Sequence, residues 1–251
     1  MVKGFYNLTS GMLSQGRRLD VVANNITNVS TAGFKAERYT DSTFDEVMLI
    51  RIGNKLKNQY AEMGTVQSHI LAPDQFYTDF EQGAPEETTL PLDFAILGEG
   101  FFAIQNEDGT VYTRSGSFTL DNEGYLCLSE FGRVLDPEGN PIQLPTDKIE
   151  GDRLGNIYTQ DGETLLGTLG VYVFPDNGAL ERDERGFFVG EGAQVSQDAQ
   201  ILHKYVERSN VDMVREMVNM MTAQRALQSA GQMSKMYDQV ISRITNDIGR
   251  L

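Results

Sequence analysis

Both ends of this 251-residue chain carry apolar residues at alternating spacings of three and four, and that pattern constrains the fold more than any other feature. Near the start the positions are Phe5, Leu8, Met12, Leu19, Val22, Ile26 and Val29, with Gln15 in the gap of the register. Near the finish they are Met220, Ala223, Leu227, Ala230, Tyr237, Ile241, Ile244, Ile248 and Leu251, with Ser234 in the equivalent gap. A 3-4 repeat puts all of these on one narrow stripe of an α-helix, the seam of a coiled coil. The simplest reading is two long helices that zip together, leaving further surface for neighbouring subunits.

The first helix is not expected to be stable alone. Gly4, Gly11 and Gly16 each cost roughly 1 kcal/mol relative to Ala in a helix interior, and an unpaired seam stays in water. Ser30-Thr-Ala-Gly33 stops the first pattern. The second helix is expected to start at Ser209-Asn210-Val-Asp212 and run to the last residue. There the Ser209 hydroxyl can cap exposed N–H groups and Asp212 can reach back and favour the helix dipole. Met213, Met217, Met220, Met221, Met233 and Met236 add a soft apolar surface beyond the seam. On the first helix Asn24, Asn25 and Asn28 fall on the outward side, where Lys or Glu would be the usual solvating choice. Their amides are candidates for hydrogen bonds across a subunit contact. Asn7, Asn25 and Asn28 also begin glycosylation sequons, discounted because this helix is expected to be packed.

Charge divides the chain in the same way. The whole carries −15, yet residues 1–39 are net +3 and residues 200–251 net +2, which leaves −20 between them. Such a balance argues against a phosphate-neutralising surface and hence against nucleic acid as a partner. It fits ends that pack against something around a middle that is solvated.

In that middle, Asp108-Gly109, Glu123-Gly124 and Glu138-Gly139 recur at fifteen-residue intervals. Strand-like runs lie between and beyond them at Phe101–Gln105, Val111–Arg114, Tyr125–Leu128, Arg133–Leu135, Thr164–Phe174 and Phe187–Val189. The expected fold class is α+β: terminal helices paired as a coiled coil around a central antiparallel sandwich or open barrel. Asp41–Ile52 either extends the first helix or forms an arm, and residues 81–89 read as a polar connector. The domain division is 1–40 with 200–251 as a discontinuous helical assembly domain, 41–90 as arm and connector, and 91–199 as a β-rich outer domain.

Catalytic motifs are missing. Gly98-Glu-Gly100 precedes a strand and lacks the third glycine of a dinucleotide fingerprint, so it reads as a tight turn. Cys127 is the sole cysteine and reads as a small core hydrophobe, while His69 and His203 lie far apart without ligand spacing. No metal, cofactor or small-molecule substrate is expected. The start lacks the apolar core of a secretory signal, and no apolar run is long enough to span a bilayer, so a soluble protein or a route without a cleaved signal is expected. An enzyme acting on cell-wall glycan and a surface carbohydrate-binding β module stand as competing classes.

Leu19-Asp-Val-Val-Ala-Asn-Asn-Ile-Thr-Asn-Val-Ser-Thr-Ala-Gly33-Phe34-Lys35 resembles the N-terminal signature of bacterial flagellar rod and hook proteins. Pro91–Phe102, Tyr112–Phe118 and Asp121–Leu126 are similar to the core-domain motif of that family. Glu207-Arg-Ser209-Asn210-Val-Asp212 with Glu216, Met217 and Ala223-Gln-Arg225 is similar to its C-terminal signature. Thr27 stands where the family usually has Ala, and Leu227 where many members have an aromatic ring. The resemblance implies an axial structural subunit of the flagellar basal body, located outside the cytoplasmic membrane in the periplasm or cell-wall layer. It implies export, unfolded, through the flagellar type III apparatus, and assembly with itself into a hollow helical tube beside other rod and hook proteins. Size and the Leu92-Asp-Phe-Ala-Ile segment resemble rod proteins more than the hook protein, and the N-terminal stretch the distal segment more than the proximal.

Overall fold

The computed structural model describes residues 2–43, 47–52, 60–66, 71–106, 109–129, 131–183, 185–196 and 199–248. The seam position Leu251, the turn residue Asp108 and His69 lie outside them. The chain forms two compact units, a helical one of residues 1–26, 37–77 and 213–251 and a β one of residues 27–36 and 78–212.

The helical unit contains α1 (Val2–Thr27) and α2 (Met213–Ile248). On α2 the less exposed positions include Met220, Ala223, Leu227, Ala230, Ser234 and Tyr237, the register the spacing predicts, and Ala223 is buried. Past Tyr237 the stripe opens, with Ile241 39% and Ile244 38% exposed. On α1 the seam residues Leu8, Met12, Leu19 and Ile26 are half-buried, Val22 is buried and Phe5 is exposed, while Val29 lies past the helix end; Ser14, Val21 and Asn25 are buried as well. The covered face of α1 is therefore wider than the seam. Asp41 supplies one reason: it accepts from Ser14 Oγ at 2.6 Å and pairs with Arg18 at 3.3 Å. The segment after α1 is an arm, not more helix. Glu37–Thr43 pairs with Leu71–Thr78, and Val47–Ile52 pairs antiparallel with Tyr60–Val66. No helix among the described residues is long and apolar enough to cross a membrane.

The β unit is built round an open nine-stranded sheet. Its path runs Glu181–Arg182, Phe188–Val189, Gly109–Thr113, Phe101–Asn106, Gly132–Val134, Leu126–Leu128 and Thr119–Leu120, with Val171–Val173 and Gln194–Val195 joined at its side. The pairings run antiparallel, as expected. Phe101-Phe-Ala-Ile104 shows why an unbroken apolar run can be a strand. Successive side chains point to opposite faces. Phe102 and Ile104 join the large core with Phe118, Leu126 and Val134, while Phe101 and Ala103 join a second cluster with Tyr112, Leu135 and Phe188. The same alternation corrects the expectation for Cys127. Its neighbours Leu126 and Leu128 are buried, so it stands on the other face, half-exposed, with Sγ 3.4 Å from Thr119 O.

A recurring turn spaces these strands. Asp121, Asp136, Asp152 and Asp183 each accept at the main-chain oxygen from the amide of a glycine three residues on, at 2.9–3.1 Å. Those glycines, Gly124, Gly139, Gly155 and Gly186, all have φ of +80° to +89°, a region that favours glycine. Asp121 and Asp136 also accept amides at the side chain, from Glu123 at 2.8 Å and from Asn140 at 2.7 Å. The expected single strand at Thr164–Phe174 is two, Leu165–Thr168 and Val171–Val173, which lie in different sheets. Gly170 marks the break: a Cβ there would come within 2.8 Å of the Asp136 main chain. Two further pairs, Phe94–Leu97 with Gln200–His203 and Pro85–Glu87 with Tyr205–Glu207, bring the C-terminal strand beside residues 83–97.

Candidate functional site: the junction of the N- and C-terminal signatures

Within the β unit, residues 33–36 lie against residues 79–83 and 207–210. A turn follows α1, with Thr31 N–H donating to Asn28 O and Phe34 N–H to Thr31 O. Gly33 then takes φ +70° and donates its amide to Glu207 O at 2.7 Å. Any side chain at Gly33 would collide with the main chain of Arg114 and Ser115. Phe34 is buried under the Arg182 guanidinium, 4.4 Å from its ring centroid, and Arg182 Nη1 donates to Lys35 O.

Lys35 points into the unit and is 1% exposed. Its Nζ donates to Glu207 Oε1 at 2.6 Å and to Glu81 O at 2.8 Å. The same Oε1 accepts the Gly83 amide at 2.9 Å, and Oε2 accepts from Arg114 Nη1 at 3.2 Å. Arg114 Nη2 donates to Gly98 O at 2.7 Å and its guanidinium lies 5.4 Å from the Phe101 ring centroid. Two cations thus share one carboxylate away from water. Burial pulls the Lys35 ammonium below its usual pKa, with Glu207 opposing and Arg114 adding to the shift. Burial likewise lowers Arg114, again against Glu207. Asn210 completes the junction: Oδ1 accepts the Ala36 amide at 2.7 Å, and Nδ2 donates to Asp79 O at 2.8 Å and Glu81 O at 3.0 Å.

Chemically this is a clamp. Lys35 and Arg114 hold Glu207 by charge and hydrogen bonds, an arrangement that fixes main-chain segments. A second buried carboxylate, Asp93, is likewise held by hydroxyls, from Thr88 at 2.7 Å and Ser117 at 3.0 Å. Among the described residues no group of three or more His, Cys, Asp or Glu side chains could hold a metal ion.

Three family models match the chain in order. The flagella basal body rod protein model matches residues 5–35, the flagellar hook protein FlgE/F/G D1 domain model residues 95–151, and the flagellar basal body rod FlgEFG protein C-terminal model residues 203–247. The chain is 30% identical to the flagellar basal-body rod protein FlgG of Bacillus subtilis over 264 residues, 98% of this chain and 99% of the relative. The chain belongs to the flagellar basal-body rod protein family. It is also 30% identical to rod protein FlgF of Mesorhizobium japonicum, over 91% of this chain and 90% of the relative. The flagellar hook-basal body complex protein FlhO of Bacillus subtilis is 28% identical over 100% of both chains. As a rod-family member the chain is a structural subunit of the flagellar basal body, outside the cytoplasmic membrane, and not an enzyme. Other rod and hook components are the kind of partner it has.

The N-terminal and C-terminal rod-family matches end and begin at the junction. Of the residues singled out in the sequence, Gly33, Phe34, Lys35 and Asn210 meet there. Ser209 serves it locally, and its expected role changes. Its hydroxyl takes the Val211 amide at 3.3 Å and does not cap α2, which starts at Met213 because residues 207–210 are held by the Pro85–Glu87 pairing and by Asn210. Asp212 directly precedes α2, and Glu216 lies in its first turn, where a carboxylate favours the helix dipole. Asn25 also departs from expectation. It is 1% exposed, and its amide exchanges two hydrogen bonds with the Glu37 main chain, at 2.8 and 3.0 Å, so it serves the chain's own arm and not a neighbour. Asn24 is exposed and Asn28 half-buried; on α2, Arg225 is exposed, with Met220 and Leu227 half-buried. Sequence reasoning missed Glu207 and Arg114 as site residues. Both lay inside quoted motifs, and the available signal was a charge set among strand residues.

Proposed function

We propose that the chain is a distal-rod subunit that assembles with itself through its terminal helices into a hollow helical tube, which transmits torque from motor to hook. The observation that carries this is the apolar surface of α2, where Met217 is 44%, Met221 50%, Met233 55%, Met236 57% and Val240 54% exposed. So much unburied apolar surface on one helix marks an interaction face. In this reading α1 and α2 pair along their seams as a coiled coil and act as the assembly domain, while residues 27–36 and 200–212, grouped with them in the sequence reading, belong to the β unit. Residues 41–90 form the arm, and 91–199 an outer sandwich or open barrel. The chain is exported unfolded by the type III apparatus, and the glycine-containing ends order when the growing rod buries them, which discourages premature polymerisation.

Electron microscopy of basal bodies from a strain deleted for this gene tests the proposal. A ring and stub lacking the outer rod and hook supports a distal subunit, and an earlier break moves the chain to the proximal rod. Complete basal bodies with hooks overturn the rod role.

A further inference from the structure

The chain passes between its two compact units at residues 26/27, 36/37, 77/78 and 212/213. Inside the β unit three of these passages converge on one side chain. Asn210 lies just before the last passage, Ala36 is the final residue of the second, and Asp79 is the second residue after the third. Their polar groups close a ring: the Ala36 amide donates to Asn210 Oδ1, Asn210 Nδ2 donates to Asp79 O, and the Asp79 amide donates to Ala36 O at 2.8 Å. A second bond from Nδ2, to Glu81 O, extends the hold along the third segment. One layer deeper the same three segments are joined again, by Lys35 on Glu207 and Glu81 O and by the Gly83 amide on Glu207.

An amide side chain has one acceptor oxygen and two donor hydrogens, and at Asn210 both ends are committed to main chain. Asp at the same position is isosteric but would turn an oxygen toward the two carbonyls. Ala would remove all three bonds of the amide and leave the segments joined only by the Asp79–Ala36 bond and by the Lys35–Glu207 layer. The geometry leaves little besides Asn that serves.

We propose that Asn210, backed by the Lys35–Glu207 pair, is a positioning residue for torque transmission, a clasp that makes three covalent passages leave the β unit as one mechanically coupled bundle. Any force carried by the covalent chain from one unit to the other crosses these passages. Held separately, they are peeled one at a time; joined in a ring, their bonds must break together. This inference rests on the rod reading above.

The test replaces the gene in its host with Asn210→Ala and, separately, Asn210→Asp. Basal bodies are imaged, the full-length chains are melted, and motor rotation of tethered cells is followed at low and high medium viscosity. Rods are expected to form and to turn at low load, with the melt of Asn210→Ala lowered by no more than a few degrees because three main-chain groups lose their partner. At high load, rods are expected to fail several times as often as in the parent. Amide exchange at Ala36 should quicken in Asn210→Ala and stay slow in Asn210→Asp, whose carboxylate still accepts. Equal survival at high load overturns the proposal. So does failure at both loads with a lowered melt in both variants, which would make Asn210 a fold residue only. Loss of rods with an unchanged melt also overturns it, by assigning Asn210 to a subunit contact, and leaves the rod reading standing. That reading fails separately, if the deletion strain builds complete basal bodies.

Discussion

Phe101, Phe102 and Ile104 in the β unit are 0–2% exposed, whereas Met213, Met217 and Met221 on α2 are 43–50% exposed, although both stretches are rich in apolar residues. The strand finds partners on each face within its own chain: Tyr112 and Phe188 on one side, Phe118 and Leu126 on the other. The helix does not find enough. The β unit's stability is therefore a property of the single chain, whereas in the assembly proposed above the helical ends depend on what binds them and so on concentration.

Removing residues 215–251 gives the largest expected effect. Assembly is lost outright while a cooperative unfolding transition persists, read by sedimentation and by thermal melting of the truncated chain. Retained assembly would erase the contrast between the regions. Next comes Met217→Ser with Met221→Ser. Each Met buried in an interface contributes about 1.5–3 kcal/mol, so polymerisation should need far more protein, while the monomer melt moves by no more than about 0.5 kcal/mol. A comparable drop in both measurements would mean that these side chains already serve the fold.

Within the β unit, Lys35→Met leaves Glu207 buried with one cation fewer, and urea unfolding is expected to show a loss of about 3–5 kcal/mol. Adding Glu207→Gln leaves Arg114 as a buried cation without its counter-charge, so the double variant should be less stable again, but by less than the sum of the two single losses, because both changes remove the same Lys35–Glu207 pair. Additive losses would show that the two side chains are not coupled.

The smallest effect is a pH dependence at His203. Its Nδ1 accepts the Gly151 amide at 3.2 Å, Nε2 lies 2.7 Å from Pro91 O, and the ring stacks on Phe94, an arrangement that suits neutral imidazole. Burial pushes its pKa below the usual value. The unfolded chain then binds more protons between the ordinary value near 6.5 and the lowered one. This contribution to stability is complete above that ordinary value and is lost as pH falls toward the folded one. Urea midpoints at about pH 7.5 and 5.5 should differ more in the parent than in His203→Gln. Equal differences would remove His203 from the account.

Much of the helical region was legible. The 3-4 spacing placed Met220, Ala223, Leu227, Ala230 and Tyr237 among the less exposed positions of α2, because helical periodicity is local and needs only the sequence. Five of the strands, from Phe101–Asn106 to Phe188–Val189, were legible to within two residues for the same reason, whereas Thr164–Phe174 proved to be two strands and pairs such as Phe94–Leu97 with Gln200–His203 were not foreseen. The stretch Ser209–Asp212 correctly marked the approach to α2, which starts at Met213, but Ser209 is not its cap. Ser209 has the right chemistry for a cap, but its neighbours are held by residues 36, 79 and 85–87, whose proximity no local pattern announces.

The sequence by itself determined two amphipathic terminal helices, an acidic antiparallel middle and the family, since periodicity, turn chemistry and motifs are written along the chain. Tertiary structure alone decided which polar groups would be interior. Lys35 and Glu207 are 172 positions apart, Asn25 turned inward to its own arm, and Asn210 gathered three segments. Burying a charge or an amide is tolerable only when its partners arrive with it, and those partners come from distant parts of the chain that only folding brings together.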